Sequence, residues 1–271
     1  MHAIHMPTNR WQAFLIHLGI SALLYVVLLY LIVFHWYPQP YFAADGGWQG
    51  VQLITGVDLV LGPMLTLMVY RRGKPGLKFD LALIAAFQAV ALVWGTWLVY
   101  GQRTAAVVFA SGRFNTLSAE QIVDAGERAM RMVSESATRP PYMLVRMPTN
   151  NKEELKLIFE TVQSGIPLTL HGERYEYISA DNRTVILDSA IDIERRVADF
   201  DDDRAELDAF LARHGGQTAD YAFVPLACRY RFLLLALNRK NGAVVDSLDI
   251  RPKVQTTPPP EPRGKAEQPK P

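Results

Sequence analysis

Two things are scarce in this chain: cysteine and, over the first hundred residues, charge. The one cysteine, Cys228, excludes an internal disulfide and any multi-cysteine metal site. Before Gly101 the chain carries five basic residues (Arg10, Arg71, Arg72, Lys74, Lys78) and three acids (Asp45, Asp58, Asp80). The other 23 Lys or Arg and 24 Asp or Glu all follow it, so the net charge of +1 averages two unlike parts. The charged part is nearly neutral and has no basic stripe, which argues against nucleic acid as a partner. Phosphate-binding glycine loops and a Ser-His-Asp pattern are also lacking, and no cofactor is expected.

What fills the first hundred residues is apolar length. A bilayer core of about 30 Å needs about 20 mostly apolar helical residues. Three runs qualify: about 11–36, interrupted in polarity only by Gln12, His17, Ser21 and His35; about 51–70, with the single charge Asp58; and about 79–100, with Asp80 at its edge and Gln88 inside. Trp11, Trp36, Tyr37, Tyr70, Trp97 and Tyr100 stand near the ends, where amphipathic rings favour the interface. The first run exceeds a signal-peptide core and Trp36-Tyr37-Pro38 is a poor cleavage site, so it reads as a retained span. Arg71, Arg72, Lys74 and Lys78 crowd the second loop, whereas Tyr37–Gly50 has no basic residue. The positive-inside rule then places Arg71–Lys78 in the cytoplasm and everything after Tyr100 outside, which in a Gram-negative cell is the periplasm.

Asp58 is the residue of most interest. A charged side chain at the bilayer centre costs about 2.5–3.5 kcal/mol on insertion scales, and such groups face a bundle interior. At 100° per residue, Gln52, Thr55, Gly56, Asp58, Gly62, Pro63 and Thr66 share one arc, with larger apolar residues opposite. A small and polar stripe lets a neighbouring helix approach, and Gly62-Pro63 predicts a kink. By depth, Ser21 and Tyr25 of span one and Gln88 of span three lie level with Asp58, with His17 about two turns closer to the cytoplasm. The reading is that Asp58 pins three helices together; a proton relay and contact with another membrane helix stay open.

Residues 41–50 (Tyr-Phe-Ala-Ala-Asp-Gly-Gly-Trp-Gln-Gly), then Gly56-Val57-Asp58-Leu59-Val60-Leu61-Gly62-Pro63-Met64-Leu65-Thr66-Leu67, resemble the signature of type IV pilin accessory proteins, the TfpX/TfpZ group. Gln102-Arg103 before Val107-Val108-Phe109, and Arg229-Tyr230-Arg231 before a hairpin, are similar to that pattern too. The resemblance is strongest over residues 35–110. It implies a multi-pass bacterial inner-membrane protein that assists or modulates assembly of a type IV pilus, with pilin or the assembly platform as partner. It brings no catalytic chemistry, and the chain is expected not to be an enzyme. Alternatives are a membrane enzyme modifying pilin and a sensor or transport component using Asp58.

Asp45-Gly46-Gly47-Trp48-Gln49 combines turn chemistry with an aromatic anchor. It suits a tight turn into span two and a rigid contact surface for a partner. After Gly101 an α+β domain is expected over residues 101–251. Ala105–Phe109 and Tyr142–Met147 read as strands, and Tyr175–Ile178 and Thr184–Leu187 as weaker ones. The capping box at Ser118 opens a helix to about Ser134, and Asn150 opens another that Gly165 closes. Asp201–His214 reads as a third helix. Arg229–Leu237 and Ala243–Ile250, joined at Asn241-Gly242, read as a hairpin. The acids Asp199, Asp201, Asp202, Asp203, Glu206 and Asp208 lack a calcium loop's spacing and fit a helix N-terminus instead. His171-Gly172-Glu173 reads as a solvated turn without a metal, and Cys228 as core. Seven prolines from Pro252 onward predict a disordered tail over 252–271.

Overall fold

The computed structural model describes residues 7–198 and 200–250; the proline-rich tail and Asp199 lie outside the described residues. Three helices are long and apolar enough to cross a membrane: Arg10–Trp36, Gly47–Val69 and Leu77–Gly101, here spans one to three. Leu15, Ile20, Leu23, Phe87, Val90 and Val93 are among the large apolar side chains they leave exposed, as lipid-facing surfaces require. Asn9 caps span one through Gln12 N, and Gly46, at φ 104°, precedes span two in the left-handed region that glycine tolerates.

The kink expected at Gly62-Pro63 takes a different form. Thr55–Leu61 is a π-helix, and α-helix resumes at Gly62–Val69 with Pro63 in its first turn. Proline has no N–H and crowds the preceding turn, so the wider i→i+5 register upstream of it relieves both problems. This widening corrects the predicted stripe. Asp58, Gly62, Pro63 and Thr66 are buried, but Gln52 and Gly56 are exposed, with Val51 and Ile54 buried instead. Stepping 100° per residue fails across a π turn, which rotates less at each step.

Gln102 and Arg103 alone separate span three from the sheet. Its strands are β1 (Thr104–Ala110), β2 (Arg113–Ser118), β3 (Tyr142–Val145), β4 (Tyr175–Tyr177), β5 (Tyr221–Ala227), β6 (Phe232–Asn238) and β7 (Val244–Leu248). They form one mixed sheet in the order β4-β3-β1-β2-β5-β6-β7, with β1/β3 and β2/β5 parallel. Alternation along the central strands splits the core. Val107, Phe109, Val224, Leu226, Leu233 and Leu235 point to one face, where Ile186 covers them. Ala106, Val108 and Met143 point to the other, under Ile122, Ala129 and Met132. At the β5–β7 end that second face is closed by Leu207 and Phe210 of helix Asp201–His214.

Several local expectations change. The helix opened by the Ser118 capping box is interrupted by Gly126 at φ 96°, giving Ala119–Asp124 and Glu127–Glu135. Arg183–Leu187 is a helical turn, not a strand: Ile186 plugs the sheet with Leu187 packed beside it, while Val185 stays exposed. β2 and β5 were not anticipated. Pro225 interrupts the strand signal of β5, yet the ladder to β2 starts at Leu226, past the residue that has no N–H to give. Phe210 is fully buried against Tyr221 and Phe223. Phe210→Ala should therefore cost about 3–5 kcal/mol, read as a lower denaturant midpoint for the extramembrane domain of the full chain.

Candidate functional site: a carboxylate clasp and an intramembrane groove

The loop between spans one and two was expected to present Asp45, Gly46, Gly47, Trp48 and Gln49 to a partner. Only Trp48 and Gln49 are exposed. Asp45 turns inward and keeps 3% of its surface. Its Oδ2 accepts from Thr104 Oγ1 of β1 at 2.5 Å; its Oδ1 accepts from Thr116 Oγ1 of β2 and from Arg229 N, each at 2.8 Å. A buried carboxylate is tolerable when its lone pairs are met this fully. Tyr230 N donates to Ala44 O at 3.0 Å, and Gly46 is pressed against the Tyr230 ring so closely that an added Cβ would stand 2.8 Å from it.

The rest of the loop joins the domain as well. Tyr41 and Ala44 belong to the apolar cluster under β1, β5 and β6, and the Tyr41 and Tyr142 hydroxyls are 2.6 Å apart. Burial raises the pKa of both phenols. Tyr37 donates to Val99 O of span three at 3.0 Å, and burial pushes its phenol up to about 12. Beside the clasp lies a polar cavity of about 220 Å³ lined by Asp45, Thr104, Thr116, Gln121 and Cys228 among others. Burial raises the Cys228 thiol's pKa, in keeping with its reading as core.

Within the bundle the polar groups pair differently from expectation. His17 Nδ1 meets Thr66 Oγ1 at 2.6 Å, linking spans one and two at the depth foreseen for His17. Gln88 packs directly over Gly62, where a Cβ would stand 1.8 Å from its Nε2. Ser21 is buried, Tyr25 packs against the Ile54–Val99 cluster, and Thr55 bonds its own helix at Val51 O. Asp58 is 6% exposed, yet among the described residues its carboxyl group makes no hydrogen bond and only His17 acts on it through space. It therefore does not pin three helices by direct bonds; Gln88 over Gly62 and His17 to Thr66 do that work. Asp58 lines a groove of about 190 Å³ between spans two and three, with Leu53, Val57, Ala91 and Gly95. On the opposite end of span two, Arg71, Arg72, Lys74 and Lys78 are exposed, and Lys74 pairs with Asp80 at 2.6 Å.

No protein-family model matches the chain, and no solved structure does. Three relatives, all from Dichelobacter nodosus, match over 111 residues, or 40% of this chain. The fimbrial assembly protein of serogroup I is 36% identical and that of serogroup E1 35%, with 43% of each relative covered. The fimbrial assembly protein of serogroups C1 and C2 is 35% identical, with 84% covered. The chain belongs to this family of fimbrial assembly proteins. It spans less than half the length of the first two relatives. The family agrees with the resemblance carried by residues 41–67.

Asp45 is the one charged residue between Arg10 and Asp58. That isolation was the available sign that its role is interior; nothing in the sequence pointed to Thr104, Thr116 or Arg229 as its donors. Among the described residues no group of three or more His, Cys, Asp or Glu side chains could hold a metal. His171 bonds Glu173 at 3.2 Å and is partly buried, with Nε2 unpartnered, so its turn is not simply solvated.

Asp45→Ala strands three donors and should cost about 3 kcal/mol or more, whereas Asp45→Asn keeps one acceptor and should cost less. Protease protection of the Tyr37–Gly50 loop in the full chain, together with thermal melts, checks the order. The raised Tyr37 pKa favours its neutral form in the folded state. Stability should hold to the ordinary phenol pKa near 10.0 and fall as pH rises through about 12, with the fall reduced in Tyr37→Phe.

Proposed function

We propose that this protein is a non-enzymatic, multi-pass accessory factor of the bacterial inner membrane that assists type IV pilus biogenesis by binding pilin or the assembly platform. Its membership of the fimbrial assembly proteins supports the pilus context. The observation that carries the mechanism is the Asp45 clasp. It bonds the loop between two spans to β1, β2 and the turn before β6, so sheet domain and bundle act as one body. A rigid body standing on the membrane can hold a subunit by its membrane part and its extramembrane part together, at a fixed angle between them.

The junction offers a surface of the right kind. A groove of about 770 Å³ runs between the span ends and the domain, with Phe34, Trp36, Tyr100, Val123 and Met130 as apolar walls and Arg103 and Arg139 as cations. Arg103 stacks 3.7 Å above the Tyr100 ring and donates to Tyr100 O, so its guanidinium is held in place. The exposed basic residues of the Arg71–Lys78 loop support a cytoplasmic position for it and a periplasmic one for the sheet domain. Deleting the gene should reduce surface pili and twitching motility while leaving pilin of unchanged mass in the membrane. Undiminished pili and motility would overturn the proposal, and a changed pilin mass would point to a modifying enzyme instead.

A further inference from the structure

Asp58 is the twelfth of the 23 residues in span two, as deep in the bilayer as a residue of that helix can be. Its side chain is 94% covered, since 6% is exposed, but what covers it is apolar: Leu53, Ile54, Val57, Ala91, Leu92 and Trp94 line the groove it faces. One turn further along, Gln88 Oε1 is also buried and unpartnered among the described residues. Ala91, Leu92 and Gly95 fall on one face of span three by helical spacing and line the groove that Asp58 faces, whereas Gln88 is closed off over Gly62. Gly95 leaves space there, because an added Cβ would meet nothing within 4 Å. The π-helix Thr55–Leu61 is centred on Asp58, and π segments widen a helix where side chains must be aimed.

A carboxyl group without a hydrogen-bond partner at mid-bilayer needs one, and lipid tails supply none, nor does bulk water reach that depth. We propose that the groove between spans two and three receives a transmembrane helix of another protein that brings a hydrogen-bond donor to Asp58. Asp58 and the opening at Gly95 select a helix with a donor side chain at its middle and small residues beside it. The inference stands on the groove alone, so its test and the gene-deletion test fail separately.

The test uses the full chain, fluorescently labelled and reconstituted in phosphatidylcholine vesicles, with labelled leucine-alanine transmembrane peptides as probes. One peptide carries a single central lysine, which donates but cannot accept and does not favour self-association; the control carries leucine there. Energy transfer should show the lysine peptide binding about three- to tenfold more tightly than the control, the range that single interhelical polar contacts supply. Asp58→Leu should abolish the preference. So should Gly95→Leu, which fills the groove without touching Asp58 and decides the matter if Asp58→Leu does not fold. Val93→Leu, on the exposed side of span three, should keep it. Equal binding of the two peptides, or a preference that survives Gly95→Leu, would overturn the proposal. Energy transfer between two copies of the chain that excludes the lysine peptide would also overturn it, by making a second copy the occupant.

Discussion

The carboxylate of Asp45 is the point on which the rest of the molecule is hung. It comes from a ten-residue loop between two membrane helices, and its three donors come from β1, β2 and the turn before β6. A single buried charge so placed does two things. It makes the loop a layer of the sheet domain, with Tyr41 and Ala44 among its core residues. It also ties the loop to β1, which span three enters after only two residues. Removing a partner from such an arrangement leaves buried donors unmet, so the geometry is held by the cost of the alternatives.

The bundle below works by a different economy of polar groups. His17 and Thr66 satisfy each other across spans one and two, and Gln88 closes over Gly62 to join spans two and three. These contacts join the three helices without a hydrogen bond from Asp58. That leaves Asp58 available, at the centre of a π-helical segment and beside an open groove. The junction groove with its fixed Arg103 lies at the C-terminal end of span three, past Gly95.

Much of the architecture was legible because it follows from local chemistry. The three spans are matters of apolar length. The helix Asp201–His214 follows from its acids and closing glycine, and the turn at Gly46 from a residue that accepts φ 104°. The hairpin about Asn241-Gly242 follows in the same way. The depth of His17 follows from rise per residue. β5 was hidden because Pro225 breaks its signal while its partners, distant in sequence, restore it. Thr184–Leu187 reads as a strand because its β-branched residues favour that state, but the stretch Arg183–Leu187 winds into a helical turn that lays Ile186 on the sheet. The stripe on span two was half right because 3.6-residue periodicity assumes an α-helix throughout.

The sequence by itself determined that this protein carries three segments long and apolar enough to cross a membrane, that four basic residues gather in the loop between the second and third, and that Asp45 and Asp58 stand alone among apolar neighbours. Length, hydropathy and charge are additive along the chain, so they can be read without knowing what touches what. Only the tertiary structure decided that Asp45 is bonded inward and Asp58 is not. A buried carboxylate's role depends on the donors within about 3 Å of it, and Thr104, Thr116 and Arg229 are brought to Asp45 from up to 184 residues away by the pairing of β1 with β2 and the turn into β6.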